Sequence, residues 1–317
     1  MCDSLTMMRD SLRMKALGFG IFITLLGGSL WGVSGTCMQY LTVQVGLDPS
    51  LVTLLRVACA GLLYLGYLLI ACRAVLHVML SKFSTIALLL LFTFALYSNQ
   101  LFYAEAVHAT NAGTATVLQM LECVFVLAFV CLHQQKFPSA REIAGLCFAL
   151  LATLLIATQG DLTTLALPAD GLMWGLLSAF AAAAYILIPK QSGLFETYGA
   201  IPVVGIGMVF APLFAVPTYL FQGGDGVAII QALTTLSAFD WTIFVFGLVL
   251  LGTIVGFVAY LYGTSLVGPV RGALLGAIEP VSATIMSAFF LGTLFTEFDI
   301  AGMLIMCVMV FLISGKN

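Results

Sequence analysis

Two glutamates, Glu122 and Glu279, stand near the middle of long apolar stretches. A charged carboxylate there costs about 2.5 to 3.5 kcal/mol on insertion scales and usually faces a bundle interior or a water-filled path. Such a group can bind a substrate amine or carry a proton, or it can close an interhelical hydrogen bond as the neutral acid that burial favours. Thr116, Gln119 and Glu122 recur every third residue, which predicts one shared helical face with Gln119 and Thr116 supplying hydrogen bonds beside the carboxyl. Glu279 is followed by Pro280, which removes a backbone donor, frees the carbonyl near Gly276 and predicts a kink. A glutamate beside a kink either meets a ligand or satisfies the freed backbone. Gly272, Gly276, Glu279 and Ala283 fall roughly on one face, a smooth track for a neighbouring helix or a ligand.

Other side chains could complete a polar site. Arg56 lies about two turns into its apolar stretch, where it can meet a substrate carboxylate, act as a gate, pair with a carboxylate of the protein or snorkel. Asn99, Gln100 and Tyr103 make one stretch unusually polar for a lipid-facing helix; Gln100 and Tyr103 are candidates for a cavity wall or for helix-to-helix hydrogen bonds. Trp31, Tyr185 and Tyr260 could form aromatic walls able to hold an amine through cation–π contact, or pack as ordinary core. His108 reads as a solvated loop residue, and Gly28, Gly32 and Gly35 as a close-packing seam.

These residues need apolar helices to position them. Of 317 residues, 62% are hydrophobic and 8% charged, against roughly a quarter charged in soluble domains, and the mean hydropathy is +1.15. The expectation is an all-α integral membrane protein with ten spans, near 17–41, 50–71, 84–104, 111–132, 142–159, 170–189, 198–221, 240–264, 269–292 and 299–314. The longest stretch between them, Gln222 to Phe239, reads as a loop, so no soluble catalytic domain fits. Arg9, Arg13, Lys15, Arg73, Lys82, Lys136, Arg141, Lys190 and Lys316 fall on one side if the spans alternate. The opposite loops carry Asp48, Asp161, Asp170, Asp225, Asp240 and Glu297 but no Lys or Arg. The positive-inside rule then places both termini in the cytoplasm of a cell with this multi-pass membrane protein, and the first apolar run is an uncleaved helix.

One stretch occurs twice. Thr110 to Gly145 lies on Val267 to Gly302 without a gap, aligning Glu122 with Glu279, Ala144 with Ala301 and Gly145 with Gly302. Five helices per unit, 1–160 and 161–317, put the second copy upside down relative to the first. Such halves enclose a site near the bilayer midplane that opens to either side as they exchange conformations.

Several chemistries are set aside. There is no Gly-x-x-x-x-Gly-Lys-Ser/Thr stretch, the three histidines are well separated, and no Cys-x-x-Cys pair occurs among eight cysteines. The chain is not expected to be an enzyme, and no cofactor, metal or nucleic-acid partner is expected.

Pro49 with Arg56, Gly28-Ser29-Leu30-Trp31-Gly32, Ala277-Ile278-Glu279-Pro280-Val281 and the paired Ala-Gly steps at 144–145 and 301–302 resemble the EamA-type branch of the drug/metabolite transporter superfamily. The resemblance covers nearly the whole chain. It implies a ten-helix inverted-repeat exporter of small metabolites in the bacterial inner membrane, its cavity lined by spans 1 to 4 and 6 to 9, with spans 5 and 10 peripheral. The chain departs from the pattern at Leu132-His133-Gln134, at Leu291-Gly292-Thr293 and at Cys123, where the family often has a proline; no particular substrate is carried over.

The expected function is therefore export of a small polar or amphipathic metabolite, an amino acid or an amine, by alternating access. Glu122 is the principal site carboxylate and, if protons are coupled, their carrier, surrounded by Gln119, Gln100, Tyr103 and Glu279. Its partners are a small-molecule substrate and the lipid bilayer, as monomer or homodimer. The alternatives are a translocase of lipid headgroups or lipid-linked molecules, and a scaffold whose glutamates are only structural.

Overall fold

A computed structural model describes residues 2–110, 112–135, 137–158, 161, 168–291 and 297–314. Lys136, Gly160, Gly292, Thr293 and Lys316 lie outside the described residues, as do the side chains of Arg9, Arg13, Lys15 and Cys307. Every regular element among the described residues is helical.

The first half contains α1 (Cys2–Gln39, continuing as a π-helical turn Tyr40–Gln44), α2 (Pro49–Ala71), α3 (Arg73–Leu80), α4 (Phe83–Ala109), α5 (Ala112–Gln119), α6 (Glu122–Gln134) and α7 (Ala140–Thr158). The second contains α8 (Ala169–Gln191), α9 (Leu194–Tyr198), α10 (Ala200–Phe210), α11 (Pro212–Phe221), α12 (Gly226–Thr235), α13 (Ala238–Thr242, continuing as a π-helix Ile243–Val255), α14 (Gly256–Val267), α15 (Pro269–Gly276), α16 (Glu279–Leu291) and α17 (Glu297–Ser314). Local sequence starts several of them. Asp48 accepts from the amides of Ser50 and Leu51 ahead of Pro49 in the first turn of α2, and Ser139 and Glu142 form a reciprocal capping box for α7. Gly268, at φ +91°, makes the turn between α14 and α15 that a side chain would strain.

Among the described residues, six segments are long and apolar enough to cross a membrane: Ala16–Gln44, Pro49–Ala71, Phe83–Ala109, Ala169–Gln191, Ala200–Phe221 and Ala238–Val267. Two of the other expected spans are interrupted. α5 gives way to α6 at Met120–Leu121, and α15 to α16 at Ala277–Ile278, which leaves pieces of 8 and 13 residues in both cases. In each break the last amide before the glutamate reaches back only three residues, Leu121 to the Leu118 carbonyl and Ile278 to the Leu275 carbonyl, both at 3.2 Å. Pro280 explains one kink, as expected, yet the span with Cys123 in place of proline breaks at the same place, so proline is not the general cause. The stretch from Gln222 to Phe239 is not simply a loop. It contains α12, whose first turn is capped by Asp225 accepting from the Ala228 amide.

The packing interleaves the two halves. α1 lies against α14 and α16, α8 against α4, α5 and α6, α2 against α10 and α11, and α7 against α17. The glycines of α1 make the first contact close: a Cβ on Gly28 would stand 3.3 Å from the Gly276 carbonyl oxygen, and one on Gly32 would stand 2.6 Å from both the Ala283 nitrogen and the Glu279 carbonyl oxygen.

Candidate functional site

A small polar cavity lies at the centre of this packing, lined by Trp31 and Ser34 of α1, Arg56 of α2, Asn99, Gln100 and Tyr103 of α4, Gln119 at the end of α5, Phe257 of α14 and Glu279 at the start of α16. Its free volume is about 30 Å³, room for about two waters.

The cavity brings a guanidinium and a carboxyl together from separate helices. Arg56 is buried and held by two hydroxyls rather than by an acid: its Nε donates to Thr253 Oγ1 at 2.5 Å and a terminal nitrogen donates to Ser34 Oγ at 3.2 Å. Thr253 can accept because its own proton is given to the Leu248 carbonyl, five residues back in the π-helix. A π-helical insertion at such a place commonly marks a functional site. No carboxylate among the described residues lies within 4.0 Å of Arg56. Glu279 lines the same cavity, is 6% exposed, and its carboxyl has neither a hydrogen bond nor an ion pair among the described residues.

Amides and a phenol complete the wall. Asn99 donates to the Ser178 hydroxyl at 3.2 Å, and Ser178 donates to Gln119 Oε1 at 3.1 Å, which turns the amide nitrogen of Gln119 away from that bond. Thr116 gives its proton to the Ala112 carbonyl at 2.7 Å, so in the 3.1 Å contact with Tyr103 the phenol is the donor. Gln100 donates weakly to the sulfur of Met208 at 3.8 Å, while its Oε1 has no partner. The indole nitrogen of Trp31 is likewise buried without one. A cation and a carboxyl thus share one small space, with an unpaired donor and an unpaired acceptor buried on residues of its wall.

Below the cavity, towards the end of the bundle where α3 lies, is an aromatic floor. Trp31 meets Tyr185, Phe257 and Tyr260 with ring centroids 6.2, 4.9 and 4.3 Å apart. Glu122 sits behind this floor rather than on the cavity. Tyr260 contacts its Oε1 at 3.4 Å and donates more closely to the Gly272 carbonyl at 3.1 Å, while Glu122 Oε2 and the Tyr185 hydroxyl are buried without partners.

Of the side chains expected at the site, Arg56, Gln100, Tyr103, Gln119, Glu279 and Trp31 meet on the cavity. Thr116 supports Tyr103 from behind, and Tyr185 and Tyr260 belong to the floor with Glu122. Thr116, Gln119 and Glu122 meet different partners, Tyr103, Ser178 and Tyr260, and of the three it is Gln119 that lines the cavity. His108 is exposed but helical, in the last turn of α4, not in a loop. Ser34, Thr253, Ser178 and Phe257 escape sequence reasoning: a lone hydroxyl or an extra Phe is ordinary in a membrane helix, and only the fold shows where it points.

The sequence matches the EamA-like transporter family twice, over residues 18–158 and 169–315. It is 32% identical over 295 residues to the uncharacterised inner membrane transporter YicL of Salmonella typhimurium, covering 93% of this chain and 95% of that one. A crystal structure 13% identical in sequence superposes with a TM-score of 0.71 over 94% of this chain and 96% of the other, a likeness of fold.

Proposed function

The chain belongs to the EamA-like transporter family, and from that membership we propose that it exports a small polar or amphipathic metabolite, of the amino-acid or amine class, by alternating access. The observation that carries this reading is the meeting of the Arg56 guanidinium and the Glu279 carboxyl, with no ion pair between them among the described residues, on one central cavity, where such groups are too costly to be ornamental. A substrate ammonium would meet Glu279, and a substrate carboxylate would meet Arg56.

The proposed architecture is ten spans in two inverted halves, 1–160 and 161–317, in a bacterial inner membrane with both termini cytoplasmic. Three observations support the halves. The family match occurs twice, both copies of the repeat break directly before their glutamate, and the packing exchanges partners as a two-fold axis would require, α1 with α14 as α8 with α4. Discontinuous helices at a midplane site are the usual construction of inverted-repeat transporters. The aromatic floor then closes the cavity on the cytoplasmic side.

The testing experiment is thermal unfolding of the purified protein against a panel of amino acids, amines, nucleobases and sugar phosphates, since a ligand of the folded state raises the midpoint by mass action. An amino acid or amine that stabilises the native protein but not Glu279→Gln is the expected result. Stabilisation by sugar phosphates or nucleobases alone would replace the substrate class.

Glu122, set apart from the cavity, is the proposed proton carrier. Glu122→Gln is expected to express and fold like the native chain and to transport with a flattened pH profile. An unchanged profile would remove Glu122 from coupling.

A further inference from the structure

We propose that α3 and the start of α4 form a binding surface for the headgroups of anionic phospholipids. α3 is an eight-residue helix joining two segments, α2 and α4, that are each long enough to cross a membrane, so it lies where those segments leave the hydrocarbon. It is amphipathic in an unusual way. Met79 is fully buried and Val75 and Leu76 pack on the core, which fixes the helix against α2 and α4. The outer side presents Arg73 and His77, one turn apart, and Lys82 follows. Between and beside these basic groups stand exposed Val78 (51%), Leu80 (37%) and Phe83 (86%).

Among the described residues, neither Arg73 nor Lys82 has a carboxylate within 4.0 Å, whereas Lys190 is already paired with Glu196. Two cations left without protein partners, set among apolar side chains that water would not favour, need a ligand with negative charge and hydrocarbon at the same depth. Nucleic acids and acidic peptides supply only the charge. An anionic phospholipid supplies both, with its phosphate and headgroup against Arg73 and Lys82 and its chains against Phe83 and Leu80. The helix is held by the protein, so the surface is preorganised and the lipid loses little by binding it. Each basic residue near an anionic surface strengthens attraction about fivefold.

The test uses the purified full chain in a neutral detergent, unfolded thermally with added short-chain phosphatidylglycerol or, at equal concentration, short-chain phosphatidylcholine. Phosphatidylglycerol is expected to raise the midpoint by several degrees more than phosphatidylcholine, and about 0.5 M salt is expected to erase the difference. Arg73→Gln/Lys82→Gln should weaken the phosphatidylglycerol response about thirtyfold in concentration, while Lys190→Gln leaves it in place. If the double variant does not fold, Lys82→Gln alone carries the comparison, with about a fivefold loss. Equal stabilisation by the two lipids, or a full response in the charge-neutralised variants, would overturn the proposal.

Discussion

Arg56→Gln is expected to cut transport and ligand-induced stabilisation by at least about thirtyfold, because truncating one partner of a buried charge contact costs roughly 2 to 5 kcal/mol. The side chain is tied to two other helices by hydrogen bonds, to Thr253 on the π-helix and Ser34 on α1, so its position over the cavity is set by three elements at once. Arg56→Lys is expected to recover less than a tenth of the activity, since an ammonium lacks the planar fork that reaches both hydroxyls. The informative comparison is the cycle with Glu279→Gln. If the two groups balance each other across the water-sized cavity, each single variant leaves a buried charge without its counterpart, and Arg56→Gln/Glu279→Gln should unfold at a temperature nearer the native midpoint than either single. Additive losses in the double variant would show that the two charges are independent. Uptake of a compound identified by thermal shift, into vesicles holding each variant, provides the activity readout.

Gly32→Val is expected to give the largest loss of folded protein. The added Cβ would meet backbone atoms of α16, Ala283 N and Glu279 O, at 2.6 Å, and backbone cannot swing aside as a side chain end can. Overpacking costs roughly 1 to 3 kcal/mol in ordinary cores, and a backbone clash between two helices lies at or beyond the upper end. A midpoint lower by about 10 °C, or no monodisperse protein at all, is the expected outcome. Gly18→Val, where nothing stands within 4 Å, is the matched control and should fold normally. Equal behaviour of the two variants would mean that α1 and α16 are not held in the observed contact.

The contrast between Glu122 and Glu279 shows how far residue types reach. Sequence alone marks both as costly groups at equivalent positions of a repeat, and treats Glu122, with polar neighbours at every third residue, as the centre of the site. That periodicity assumes an unbroken helix. The helix is interrupted at Met120–Leu121, and it is Gln119 that lines the cavity while Glu122 meets Tyr260 of the aromatic floor. No propensity in Leu118 to Cys123 announces the break.

Composition, hydropathy and the repeat are sums and spacings along the chain, and they determined by themselves that this is a helical membrane protein with polar groups kept at matched points of two copies, one of which would kink at Pro280. They also marked Arg56, Gln100, Tyr103 and Trp31, because a charge, amide or indole in an apolar span has few cheap places to go. What only the tertiary structure decided is which of these groups share a space. That depends on distances between helices far apart in sequence, set by glycine contacts and by a π-helical register that rotates Thr253 towards Arg56. Interhelical distance leaves no periodic trace in a single sequence, and a serine or threonine that anchors a buried cation looks the same there as one that faces lipid.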